Sequence, residues 1–337
     1  MLFWIETEQS DVAEIVDDYI DSFESLGVAG WSKYHLILGS RQLLTALASS
    51  TSLSIRATAY YKYVHSRYAE LASIKQHIDC VYVYPRGGFA AAAGEDRRAL
   101  LRAFEHPKTC DKANLLVEHV YDYRVILEFA RAYLSNIGLA RVGELSLRFI
   151  AGGGGGTGHV LSVYESDGDS IGCCVVDSDR ERIDAPVPKG STADFCAQNH
   201  VPSWRWVLHI VDGRELENLI PDALLEGANM RVRTIPGFAS DDTWAVSGFA
   251  DHKKDDLLCR FLDGGRPLCP ELRAALDRLA TRGASVTRCC HSKECAQRDL
   301  CKLTVGNKGL LSVVSERLEK RGCPRGISMV EALRKLS

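Results

Sequence analysis

The residues with the clearest chemical potential are acids placed where predicted strands end. Glu118 follows the apolar run ANLLV at residues 113–117, and Asp122 comes one helical turn later, so both carboxylates can face one point. Asp177 and Asp179 close the run IGCCVV at 171–176 as DSD. Alternate residues of an extended segment point the same way, so these two can share a cation. Glu217 stands in ELEN, just beyond the run WRWVLHIV at 204–211. Hard oxygen donors of this kind suit Mg²⁺ or Mn²⁺, which take one or two carboxylates and keep waters for a phosphate substrate. Singly, each acid has a plainer use, as a solvated residue or as the cap of the next helix. Five of them converging on one sheet edge point to a cation.

Three other groups carry weight. Cys290, His291, Cys295 and Cys301 offer soft ligands for Zn²⁺ within the segment CCHSKECAQRDLC, with Cys323 near in sequence. Their spacings match no common zinc knuckle, and a reduced cysteine cluster is the other reading. The five glycines 152–156 follow a predicted strand and satisfy GxGxxG, with Asp177 at the distance of a ribose-binding acid, so a dinucleotide-binding protein is an alternative. The helix after them is short, however, and Asp179 would repel the dinucleotide's phosphates. No Gly-Lys-Ser/Thr follows the glycines, so they are not a P-loop and no ATPase is expected in this chain. Lys253 and Lys254, in ADHKKDD, can neutralise a charged phosphorane or simply sit in a solvated loop. No Ser/His/Asp arrangement emerges from the scattered histidines, and Trp204 and Trp206 read as core rather than as base-stacking residues.

The elements that must position these groups alternate from about residue 112. Strands are predicted at 113–117, 145–151, 171–176 and 204–211, with helices at 121–136, 158–165 and 214–220 between or after them. Alternation of this kind, with apolar strands, predicts a mostly parallel sheet with helices on both faces, and ligands gather at the carboxyl ends of such strands. Before it, helices are predicted at 11–27, 40–50 and 60–77 and a strand at 78–84. After it come a polar loop at 236–243 and helices at 267–282, 309–320 and 328–336. The expected organisation is therefore a mainly helical region 1–110, an α/β domain 111–230, and a mainly helical region 231–337 with the Cys/His cluster. A length of 337 residues suits more than one domain.

The net charge of −3 provides no global basic field, so a nucleic-acid partner needs a local basic strip, a metal ion or another protein. No apolar run approaches the roughly 18–20 residues that span a bilayer, so no membrane contact is expected. Residues 1–11 lack a basic stretch and turn acidic, unlike a secretory leader. Twelve cysteines, two pairs of them adjacent, do not form a disulfide framework, which places the chain in a reducing, cytoplasmic setting.

VEHVYD at 117–122, the glycine turn, VVDSDR at 175–180 and ELEN at 215–218 together resemble the TOPRIM fold. The resemblance covers about a third of the chain and lies nearest the overcoming-lysogenisation-defect-type and stand-alone TOPRIM nucleases of bacterial anti-phage systems. In that family a Glu ends the first strand, often as EGxxD, and a DxD ends a later one. Glu118 and Asp122 match the first motif, Asp177 and Asp179 the second, and Glu217 the later acid; His119 stands where the family usually has Gly. The resemblance implies a Mg²⁺-dependent endonuclease, a hydrolase that cuts the phosphodiester bonds of DNA or RNA, tRNA included. Glu118 would act as general acid/base or as a ligand, the aspartates would hold the metal, and Lys253 would assist. A nuclease with intact ligands and no ATPase or sensor motif of its own is expected to be controlled by a separate protein partner such as an ATPase, docked on residues 11–27 or the C-terminal helices, with homodimerisation as the alternative. A catalytically silent TOPRIM-fold scaffold, or a topoisomerase-primase role, would use the same fold differently.

Overall fold

A computed structural model describes residues 1–8, 11–86, 97–136, 145–220, 244–250, 256–257, 261, 267–281 and 302–304. The chain is α/β, built on two four-stranded parallel sheets. The first contains β1 (Leu2–Ile5), β2 (Leu36–Gly39), β3 (Val81–Tyr84) and β4 (Arg98–Leu100), in the order β2-β1-β3-β4. The second contains β5 (Ala113–Val117), β6 (Leu147–Ala151), β7 (Gly172–Val176) and β8 (Trp206–Ile210), in the order β6-β5-β7-β8. The two orders are the same. Each time, the first strand pairs with the second on one side and the third on the other.

The first sheet alters the sequence-based picture of residues 1–110. Helices are there as expected: α1 (Val12–Asp18), α2 (Ile20–Trp31), α3 (Arg41–Ser49), α4 (Ile55–Ser66) and α5 (Tyr68–Ala72). Of the strands, however, only the segment containing β3 was anticipated. β1 and β2 are short apolar runs that are buried almost throughout. Such strands lack the alternation that marks a half-exposed one, so periodicity cannot find them. Ser40 and Ser54 cap α3 and α4 by accepting the amide hydrogens of Leu43 and Ala57, at 3.1 and 3.3 Å. On the edge strand β2, the buried Tyr60 hydroxyl accepts from the Ile37 N–H at 2.7 Å and donates to the Ile37 carbonyl at 3.2 Å. One side chain from α4 thus does for this strand what a further strand would do.

The second sheet matches its prediction closely because its sequence pattern is simple. Every residue of β5 is buried, as expected for a central parallel strand covered on both faces. One face is covered by α6 (Val120–Asn136), which buries Val125 and Phe129 and sets Tyr123 against Phe149 of β6. The other face packs Leu116, Cys174, Val176 and Trp206 against Leu161 of α7 (Thr157–Asp167) and against Ala193 and Cys196 of α8 (Thr192–Asn199). Helix α8, capped by Ser191, was not anticipated. The predicted helix at 214–220 is a single 3₁₀ turn, Leu216–Leu219.

The first sheet's core extends to the second sheet, whose other face has a separate core. Ala113 of β5, Ile171 just before β7 and Trp204 just before β8 join Phe3 of β1 and Phe104, with the Trp204 ring 5.3 Å from Phe104 and 6.3 Å from Phe3. The predicted helix at 267–282 is present as Pro270–Thr281. The expected loop at 236–243, the helices at 309–320 and 328–336, Lys253, Lys254 and the cluster Cys290, His291, Cys295 and Cys301 lie outside the described residues. Among the described residues no helix is long and apolar enough to cross a membrane.

Candidate active site

The strand order of the second sheet fixes where a ligand belongs. From β5 the chain moves through α6 to β6 on one side, then crosses back through α7 to β7 on the other. The connections leaving β5 and β7 therefore diverge, opening a crevice at their carboxyl ends, which is where open parallel sheets bind ligands. Glu118 is the first residue beyond β5 and Asp177 the first beyond β7. Val117 pairs in register with Val175, so the Cα atoms of the two acids lie roughly 6 Å apart from strand spacing and rise alone.

Glu118, Asp122 and Asp177 line one cavity, floored by Val175, Val176 and Leu216. Its volume of about 10 Å³ accommodates a single water-sized body. The apolar floor lowers the local dielectric and strengthens whatever charge interactions form there. Backbone hydrogen bonds position two of the acids. Leu216 N–H donates to Asp177 Oδ1 at 2.8 Å. His119 N–H donates to Asp122 Oδ2 at 2.8 Å, the reciprocal half of a capping box in which the third residue of α6 reaches back to the residue before the helix. His119 itself is not among the described non-glycine residues with positive φ, so this position needs no glycine here; its ring stacks on Tyr121.

The glycine loop is built around Glu118. Gly152 N–H donates to the Val117 carbonyl at 2.7 Å and Gly153 N–H to the Glu118 carbonyl at 3.3 Å. Gly153 and Gly154 have φ of 73° and 66°, the left-handed region that glycine enters cheaply. A Cβ on Gly154 would sit 4.0 Å from Glu118 Oε2. The loop therefore presents its backbone to a carboxylate, where a dinucleotide pyrophosphate would be repelled.

Two of the predicted acids stand elsewhere. Asp179 is not among the residues lining the cavity, because the DSD segment is not extended. The chain turns at Ser178, which is buried and donates its hydroxyl to the Gly213 carbonyl. Asp179 then takes φ of 54°, a conformation Asp tolerates better than most residues, and its N–H donates to the Arg214 carbonyl at 2.9 Å. Glu217 is 2% exposed, within the 3₁₀ turn, and its neighbour Leu216 faces the cavity instead. Among the described residues no three His, Cys, Asp or Glu side chains are arranged to hold a metal ion.

The carboxylates present still fit Mg²⁺ or Mn²⁺, because such ions are commonly held by one or two carboxylates and complete their shell with water and substrate oxygens. Glu118 and Asp177 are the pair that would hold it. Sequence reasoning missed three neighbours. Arg180 and Arg214 flank the DSD turn, and the Arg180 Nε is buried without a hydrogen-bond partner. His209 of β8 pairs in register with Val175 and so lies on the same face of the sheet; burial pushes its imidazole below the usual range, which keeps it neutral at pH 7. Its signal was a lone polar residue inside an apolar strand. No protein-family model, curated protein or solved structure matches the chain.

Proposed function

We propose that this protein is a Mg²⁺- or Mn²⁺-dependent endonuclease of TOPRIM-like type, hydrolysing phosphodiester bonds of DNA or RNA, tRNA included. The observation that carries the reading is the placement of Glu118 and Asp177 on one ion-sized cavity at the switch point of a parallel sheet, with Asp122 beside them. A divalent cation held there would supply Lewis-acid polarisation of a phosphate oxygen. Glu118 serves as its ligand or as the general acid/base, and Asp177 is kept in one orientation by the Leu216 amide. Arg180 follows the DSD turn in sequence and Arg214 meets it through its backbone carbonyl, a local source of positive charge that the net charge of −3 does not supply globally. By the same resemblance the protein is an effector of anti-phage defence; its cysteine usage places it in the cytoplasm, and it works with a separate ATPase or as a homodimer.

A scaffold role for the same fold is the second reading. It is favoured by the structural tasks that Asp122 and Asp177 already perform for the His119 and Leu216 amides. One experiment separates the two: the purified chain with Mg²⁺ or Mn²⁺ against plasmid DNA, single strands and total tRNA. Cleavage that disappears on chelation and in Glu118→Ala supports the enzyme; no cleavage of any substrate, with the expected partner present, supports the scaffold.

A further inference from the structure

The cavity lined by Glu118 and Asp177 has room for an ion and not for a base, since its volume is about 10 Å³. Among the described residues that line it, none is aromatic. A nucleotide whose phosphate reaches the ion must therefore rest its base on the rim. His119 stands there, between Glu118 and Asp122 in sequence, and it is exposed. Its imidazole stacks on the Tyr121 ring, with centroids 4.8 Å apart and planes at 28°. The Tyr121 N–H donates to His119 Nδ1 at 3.4 Å, while the His119 N–H donates to Asp122 Oδ2 at 2.8 Å. Backbone and ring are both held before any ligand arrives, so little rotamer freedom remains to be lost on binding.

Capping α6 does not account for the ring. Ser, Thr, Asp or Asn supplies an acceptor for the first amides of a helix with a smaller side chain. Imidazole adds a flat π-surface, and because His119 is exposed, part of that surface faces solvent while Tyr121 backs the rest. Nucleobases stack on aromatic side chains of this kind, histidine included, with little regard to sequence. Inside a duplex the faces of a base are already covered by its neighbours. A stacking surface on the rim therefore favours an unpaired nucleotide over a paired one.

We propose that His119, backed by Tyr121, is a stacking platform for an unpaired base, and that the site takes single-stranded nucleic acid, DNA or RNA, in preference to duplex. The proposal rests on the nuclease reading for the placement of the phosphate beside Glu118. Its test is fluorescence anisotropy of the full chain with labelled single strands of DNA and of RNA and with the matching duplexes, in Ca²⁺, which takes oxygen ligands as Mg²⁺ does. Two variants separate ring from cap: His119→Asn keeps an acceptor for α6 and removes the ring, and His119→Phe keeps a ring and removes the acceptor. Single strands of DNA, of RNA or of both should bind more tightly than the duplexes. His119→Asn should weaken that binding at least about fivefold, the smallest loss expected when one stacked base loses its partner, and His119→Phe should restore it. The proposal is overturned if single strands bind no more tightly than duplex, or if His119→Asn binds them as the wild type does. Cleavage of the same strands in Mg²⁺ is read separately. Chelator-sensitive cutting with single-strand binding unchanged in His119→Asn overturns the platform and leaves the nuclease. Single-strand binding that His119→Asn weakens, without any cutting, supports the platform and counts against the nuclease.

Discussion

Five consecutive glycines invite the view that the loop at 152–156 is uniformly permissive, and the structure predicts otherwise. A Cβ on Gly152 would lie 2.2 Å from Thr157 Oγ1 and 2.7 Å from Thr157 Cβ. Thr157 is fully buried at the start of α7 and its hydroxyl donates to the Gly154 carbonyl at 2.7 Å, so it has nowhere to move cheaply. Overpacking of this kind costs about 1–3 kcal/mol. Gly153→Ala and Gly154→Ala meet no clash but must hold a positive φ, at about 1–2 kcal/mol. Gly155→Ala meets nothing within 4 Å and is not among the positive-φ residues, so it should be neutral or stabilise by about 0.4–1 kcal/mol through the unfolded chain. Urea denaturation of the four single variants reads these differences directly as shifts in midpoint at constant slope. Equal losses at Gly152 and Gly155 would refute the loop geometry, and with it the placement of this backbone against Glu118.

Three further outcomes follow from single contacts. Tyr60→Phe should destabilise by about 2–4 kcal/mol in denaturant titration, because the buried N–H and carbonyl of Ile37 lose their common partner. Asp122→Ala should cost about 1 kcal/mol even without metal, since its Oδ2 caps α6, whereas Asp122→Asn should recover most of that stability. The imidazole of His35 is driven down to about 3 by burial, with its Nε2 donating to the Asp111 carbonyl at 2.8 Å. Its folded value lies below the unfolded one, so the unfolded chain takes up the proton first and stability falls as pH drops below about 6.5. Between pH 7 and pH 5 this amounts to about 2 kcal/mol. A pH series of melts should show that loss and should flatten in His35→Gln; an unchanged slope would remove His35 as its source.

The sheet that carries the site was legible in the sequence, and the reasons are physical. ANLLV matches β5 residue for residue because a central parallel strand is a near-continuous apolar run, interrupted here only by Asn114. The helix after it shows a 3.6-residue apolar period, and Glu118 and Asp177 fall at strand ends by count alone. What was not legible depends on contacts distant in sequence. The turn at Asp179 is set by Ser178 bonding to Gly213, 35 residues later, so the DSD spacing carried no hint that its two acids part company. Glu217 is taken inward by a 3₁₀ turn too short to have a period. β1, β2 and β4 escaped notice because they run to only three or four residues, and β1 and β2 are buried almost throughout and show no alternation.

The most direct test of the central claim is divalent-metal-dependent cleavage by the wild type and by Asp177→Ala, each folded to the same extent by circular dichroism. The substrates are plasmid DNA, single strands and total tRNA, with the genomic neighbour added in parallel. The wild type should cut at least one substrate with Mg²⁺ or Mn²⁺, and chelator should abolish the cutting. The variant should lose at least about a hundredfold, the scale at which removing one positioned electrostatic group acts. Cleavage that persists in Asp177→Ala, or that proceeds equally well without divalent metal, would contradict the claim.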